Sequence, residues 1–150
     1  MAAPSHSGIL ARPDAVTYRD HLLTCPRCGA TLVRQTRHET WPCPACGGVA
    51  IELGELIRIL MRYAPELLPH GASSLVTTSR PATGSPLRCA ACSRPMQPVE
   101  LHGVELDRCT HDQLLWFEAK QLDVVIDAAI GEVLARKGWG QRLRDLLFAN

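Results

Sequence analysis

The sequence predicts a small, metal-stabilised α+β protein: two cysteine-based β-hairpin units, each followed by a helix, joined by a flexible linker. Three observations carry this expectation. The first is a set of three C-x-x-C pairs, Cys25/Cys28, Cys43/Cys46 and Cys89/Cys92, completed by a seventh cysteine, Cys109. The second is a hairpin-length segment after Cys28 and another after Cys92. The third is that the order of knuckle, hairpin, knuckle and helix occurs twice, which marks a tandem duplication.

Bulk composition narrows the class. The 150 residues suffice for one ordinary domain or two small ones, and 16 Lys and Arg nearly balance 15 Asp and Glu. Such a balance provides no global field for holding nucleic acid or a membrane surface. Aromatic residues are only 5% of the chain, so metal has to supply stability that a large core would otherwise give. The first residues contain no apolar run of signal-peptide length and no stretch approaches a membrane span. The expectation is therefore a cytoplasmic protein, where thiols stay reduced and C-x-x-C pairs bind metal more often than they form disulfides.

Taken in order, residues 1–17 read as a disordered tail rich in small and polar residues. The first unit spans 18–63. Leu22 and Leu23 lead into the Cys25 knuckle, 31–35 reads as a strand, and 39–41 returns the chain to the Cys43 knuckle. Gly29, Gly47 and Gly48 follow the knuckles, where a positive φ is often required. Leu56, Ile57, Leu60 and Met61 then recur at helical spacing within 54–63, and Pro65 ends that helix. Residues 64–86 are a Pro-, Ser- and Thr-rich linker by composition. The second unit spans 87–137. Segments 96–101 and 104–108 alternate apolar and polar residues about His102–Gly103, a two-residue hairpin turn. A long helix follows at 118–137, with an apolar stripe through Leu122, Val125, Ile126, Ala129, Ile130, Val133 and Leu134. Gly138 is its stop, and 138–150 carries a short last helix.

Four thiolates at two knuckle spacings suit a tetrahedral Zn²⁺, so Cys25, Cys28, Cys43 and Cys46 form the first expected zinc site. Such a set leaves no open coordination position for catalysis. Cys89, Cys92 and Cys109 supply three ligands of a second zinc site, and the odd cysteine count requires a non-cysteine fourth. Spacing favours Asp112, three residues after Cys109; ligand chemistry favours His111, since imidazole is the commoner partner of three cysteines.

The halves also resemble a known family. Cys25 and Cys89 lie 64 residues apart, and Cys43 and Cys109 lie 66 apart, as do Leu56 and Leu122. The run Cys25-Pro26-Arg27-Cys28-Gly29, with Leu32, Cys43-Pro44-Ala45-Cys46-Gly47-Gly48 and Gly54-Glu55-Leu56, is similar to the transcription factor IIB-type zinc ribbon. Ala50 departs from the family's usual Trp, whereas Trp116 keeps it, which implies a core role for Trp116. In the second copy Asp112, Gln113 and Leu114 replace the family's last cysteine and its two glycines. The resemblance implies two tandem zinc-ribbon β-hairpin units and zinc in each; it does not specify a task.

These features predict a non-catalytic zinc-binding adaptor whose partner is another protein. The alternative is a nucleic-acid-binding or transcription-associated factor. Its visible basis is phosphate contact from Arg27, Arg34 and Arg37 and from Arg136, Lys137, Arg142 and Arg144. A third reading, a zinc enzyme, requires an open second site. The apolar stripe of the 118–137 helix would also suit a homodimer seam.

Overall fold

A computed structural model describes residues 20–63, 77–78 and 84–136. The expected N-terminal tail, the last helix, Lys137, Arg142 and Arg144, and most of the 64–86 linker lie outside the described residues, as does the Arg136 side chain. The strands are β1 (Thr40–Pro42), β2 (Val49–Glu52), β3 (Thr77–Thr78), β4 (Gln97–Leu101), β5 (Val104–Arg108) and β6 (Leu114–Phe117). The helices are α1 (Leu53–Tyr63) and α2 (Gln121–Arg136). All strands join one antiparallel sheet in the order β1-β2-β6-β5-β4-β3, with the two-residue β3 at an edge.

The two halves meet at the centre of this sheet. β2 of the first half pairs with β6 of the second, with Ala50 opposite Trp116, Val49 opposite Phe117 and Ile51 opposite Leu115. Residues 50 and 116 are equivalents at the 66-residue repeat offset, and so are 49 and 115, and 51 and 117. The junction therefore has a local two-fold axis at the Ala50–Trp116 pair, as in a symmetric dimer strung on one chain. Each half's edge strand covers the other's, which removes two open edges.

Alternation along β2 and β6 sends side chains to two different cores. Ile51, Leu115 and Phe117 face α1 and α2, where they pack with Leu56, Leu60, Val125 and Ala129. Ala50, Leu114 and Trp116 face the knuckles, where they pack with Trp41 and with cysteines of both halves. The molecule thus has three layers: helices, sheet and metal knuckles. Val125 and Ala129 of the α2 stripe are fully buried within the chain, while Val124 and Leu134 are exposed.

Local signals explain most elements. His102 and Gly103 both have positive φ, 49° and 77°, as a two-residue turn matched to strand twist requires. The strand expected at 31–35 is absent. Thr31 and Gln35 make only isolated bridges, to Thr24 and Thr40, and the Val33 amide donates to the Pro42 carbonyl. Val33 is exposed, so this segment has one buried anchor, Leu32, and too little apolar surface for a full ladder. The second helix starts at Gln121 rather than 118, because Phe117 ends β6 and Lys120 adopts φ 68°.

Candidate metal centres

Four knuckles with one backbone plan position the ligands. In each, the first cysteine's amide donates to the carbonyl five residues on: Cys25 to Ala30, Cys43 to Gly48, Cys89 to Arg94 and Cys109 to Leu114. The residue four positions after that cysteine is left-handed every time. Gly29 and Gly47 take φ 76° and 75°; Ser93 and Gln113 take 59° and 58°. Gln113 is held there by its own side chain, which donates from Nε2 to the Thr110 carbonyl (2.6 Å) and accepts at Oε1 from Arg108 (2.6 Å). The turn geometry outlasts the glycine that usually serves it.

These turns bring Cys25, Cys28, Cys43 and Cys46 together, with all four sulfurs within 4.8 Å of one another. Cys25 and Cys46 Sγ are 3.6 Å apart, and Cys28 and Cys43 Sγ are 3.5 Å apart. Four thiolates around a tetrahedral ion would stand about 3.8 Å apart, given metal–sulfur bonds of about 2.3 Å. The set could therefore hold a metal ion after a small expansion. Amides of Arg27 and Cys28 point at Cys25 Sγ at 3.4 and 3.5 Å, supporting negative charge on that sulfur. Burial nonetheless pushes the Cys25 thiol up to about 12. Burial acts the same way on Cys43, but amides of Cys46 and Ala45 and neighbouring thiols outweigh it and bring that group down to about 6. Binding of a metal ion at this set would release protons from its thiols.

The second group is Cys89, Cys92, Cys109 and Asp112, again within 4.8 Å. Asp112 stands at the repeat position of Cys46. Its Oδ2 lies 3.3 Å from Cys89 Sγ and 3.6 Å from Cys109 Sγ, and Cys92 and Cys109 Sγ are 3.6 Å apart. His111 is placed outside this donor group. Its Nδ1 is 2.9 Å from the other carboxylate oxygen, Oδ1. Asp112 is thus turned so that one oxygen faces the sulfurs and the other is held by an imidazole, the usual outer support of a metal-binding carboxylate. Burial would raise the Asp112 carboxyl, but hydrogen bonds from Cys92, His111 and Cys89 hold it below its ordinary value. Burial drives the Cys89 thiol strongly up.

The asymmetry has a measurable consequence. Asp112→Cys is expected to raise metal affinity at the second group about tenfold or more, because a fourth soft thiolate replaces a hard oxygen. His111→Ala is expected to lower it by about tenfold through loss of the orienting hydrogen bond. Competition with a chromophoric chelator measures both. Co²⁺ loading tests the donor set independently, because Asp112→Cys has to intensify the thiolate charge-transfer band and His111→Ala has to leave it in place.

Other contacts bind the two centres into one body. The Arg27 guanidinium, on the first knuckle, forms an ion pair with Glu118, just after β6. Glu118 also accepts from the Trp116 indole at 3.3 Å, and its hydrogen bond raises the Arg27 pKa. The Thr24 amide donates to the Ala90 carbonyl (3.4 Å), and the Leu53 amide to the Gln113 carbonyl (2.9 Å). Arg34 pairs with Glu39. Of the arginines expected to contact phosphate, Arg27 and Arg34 thus have carboxylate partners, and Arg37 lines a separate cleft. The Arg27–Glu118 pair, 91 residues apart, had no local sequence signal.

Comparison of the chain with protein-family models, curated proteins and solved structures finds no match. No helix among the described residues is long and apolar enough to cross a membrane.

Proposed function

We propose that this chain is a non-catalytic zinc-binding adaptor: a tandem zinc ribbon of the transcription factor IIB type, acting in the cytoplasm through contact with another protein. The observation that carries this reading is the pair of four-donor groups, each built from two knuckles and packed against one shared core. Donor sets rich in thiolate favour zinc over harder divalent ions. Four protein ligands close a tetrahedral ion, and a closed ion supports structure. At the second group Asp112 Oδ1 is already engaged by His111, which favours a single carboxylate–metal bond through Oδ2. The alternative of nucleic-acid binding is weakened by the ion pairs of Arg27 and Arg34.

Elemental analysis of the purified full chain is expected to return two zinc ions, and one in Cys109→Ser. Fewer than one ion in the unaltered chain would sink the scheme. Crosslinking in the native cell is expected to yield protein adducts. Retention of DNA or RNA that weakens steeply as salt rises would instead establish the nucleic-acid alternative.

A further inference from the structure

A cleft of about 560 Å³ lies between the first hairpin, α1 and α2, on a different part of the molecule from the cysteine groups. Its size falls within the ~300–1,000 Å³ typical of small-molecule sites. Three guanidinium groups from two elements reach it: Arg37 from the hairpin loop, and Arg58 and Arg62 from α1. Ile59 of α1 and Leu122 and Ile126 of α2 give it an apolar wall.

The described lining of the cleft carries more basic than acidic side chains. Arg27 and Arg34 are matched by Glu118 and Glu39. Among the described residues that line the cleft, the one acidic side chain is Glu55, which is buried and pairs with Arg58 at 2.7 Å. Among the described residues Arg37 and Arg62 meet no carboxylate. Arg58 and Arg62 are also four apart on one helix, a like-charge arrangement that disfavours the helix. Glu55 compensates Arg58 alone; among the described residues Arg62 gains no compensating carboxylate contact. An anion between the two guanidinium groups would provide one, through the forked geometry that suits carboxylate and phosphate.

We propose that this cleft is a binding site for a small amphipathic anion, an organic carboxylate or phosphate whose head meets Arg37 and Arg62 and whose apolar body lies on Ile59, Leu122 and Ile126. The site goes beyond the adaptor reading and does not depend on it. Arg58, tied to Glu55, shapes the wall and adds charge; Arg37 and Arg62, which meet no carboxylate among the described residues, are the partners for the anion. The two head-group classes share this chemistry and are separated by experiment.

The probe is 1-anilinonaphthalene-8-sulfonate, titrated into the full chain loaded with zinc. One saturable site with blue-shifted emission is expected. Arg37→Ala and Arg62→Ala are each expected to weaken it about tenfold, the loss of one charge-assisted contact. Arg34→Ala, outside the cleft, is expected to leave it unchanged. Octyl phosphate and octanoate are expected to displace the probe, and the more effective of the two identifies the head group. Inorganic phosphate is expected to displace it only at much higher concentration. Absence of a saturable site overturns the proposal, and so does binding indifferent to Arg37 and Arg62. Displacement by inorganic phosphate as readily as by octyl phosphate overturns the apolar half of the site. Metal content measured on the same samples keeps any such failure distinct from failure of the zinc reading.

Discussion

Cys43→Ser is expected to remove one bound metal ion and at least about 4 kcal/mol of stability, most of it the contribution of metal ligation to a unit this small. The side chain is buried and its sulfur lies 3.5 Å from that of Cys28. Serine is a poor ligand for a soft site, so the substitution leaves three thiols, the buried Cys25 among them, without their ion. The damage is expected to spread. Cys25 and Cys43 pack in the same core as Cys89, Cys109, Trp41 and Trp116. Loosening one knuckle pair therefore loosens the wall of the other, and the remaining ion is expected to bind more weakly than in the unaltered chain. Thermal unfolding followed by circular dichroism, with metal counted in the same samples, measures both effects. For a chain of this size 4 kcal/mol corresponds to a fall in Tm of roughly 8–16 °C. Two retained ions, or a Tm within a degree or two of the parent, would show that the first group is not a structural centre.

The candidate donor groups were legible because a metal-binding turn imposes a spacing on the chain. A C-x-x-C turn is a local object, and its two-residue gap survives any change around it. The hairpin about His102–Gly103 and helix α1 were legible for the same reason, since turn chemistry and a 3.6-residue period act over a few residues. The centre of the sheet was not. β2 and β6 are four residues each, and β6 reads Leu-Leu-Trp-Phe, a continuous apolar run with no alternation to mark it as a strand. It has none because both of its faces are buried, one under helices and one under knuckles. The pairing of the two repeats is a long-range event, and nothing in either repeat alone encodes it. The short strand 31–35 was over-read for the opposite reason: β-branched residues promised a ladder that a single buried leucine does not sustain. At the second centre, spacing and ligand chemistry pointed to different residues, and only the turn shows which one faces the sulfurs. The backbone places Asp112 at the Cys46 position and gives His111 to its outer oxygen.

Gly48→Ala is expected to destabilise the chain by about 3 kcal/mol, as an overpacking change at the junction of the two repeats. A Cβ at this position would lie 2.2 Å from Cζ2 and 2.7 Å from Cη2 of Trp116, and 3.0 Å from the Phe117 carbonyl oxygen. Gly48 has no positive φ, unlike Gly47, so its requirement is space rather than backbone conformation. The reason lies in the local two-fold. At such an axis equivalent residues meet each other, and two tryptophans at 50 and 116 would compete for one volume. The chain resolves this by becoming unequal: Gly48 and Ala50 in the first repeat are small where Leu114 and Trp116 in the second are large. The small Ala50 of the first repeat is therefore complementary to the large Trp116 of the second. A double-mutant cycle tests this account. Trp116→Ala alone is expected to cost about 3–5 kcal/mol, as loss of a buried indole. In that background Gly48→Ala is expected to cost under about 1 kcal/mol, since the ring it would strike is gone and only the Phe117 carbonyl remains close. Urea unfolding of the four chains, each fully metallated, gives the coupling. Additive costs would mean that the two residues do not share that space, and the junction would then need another explanation for its asymmetry.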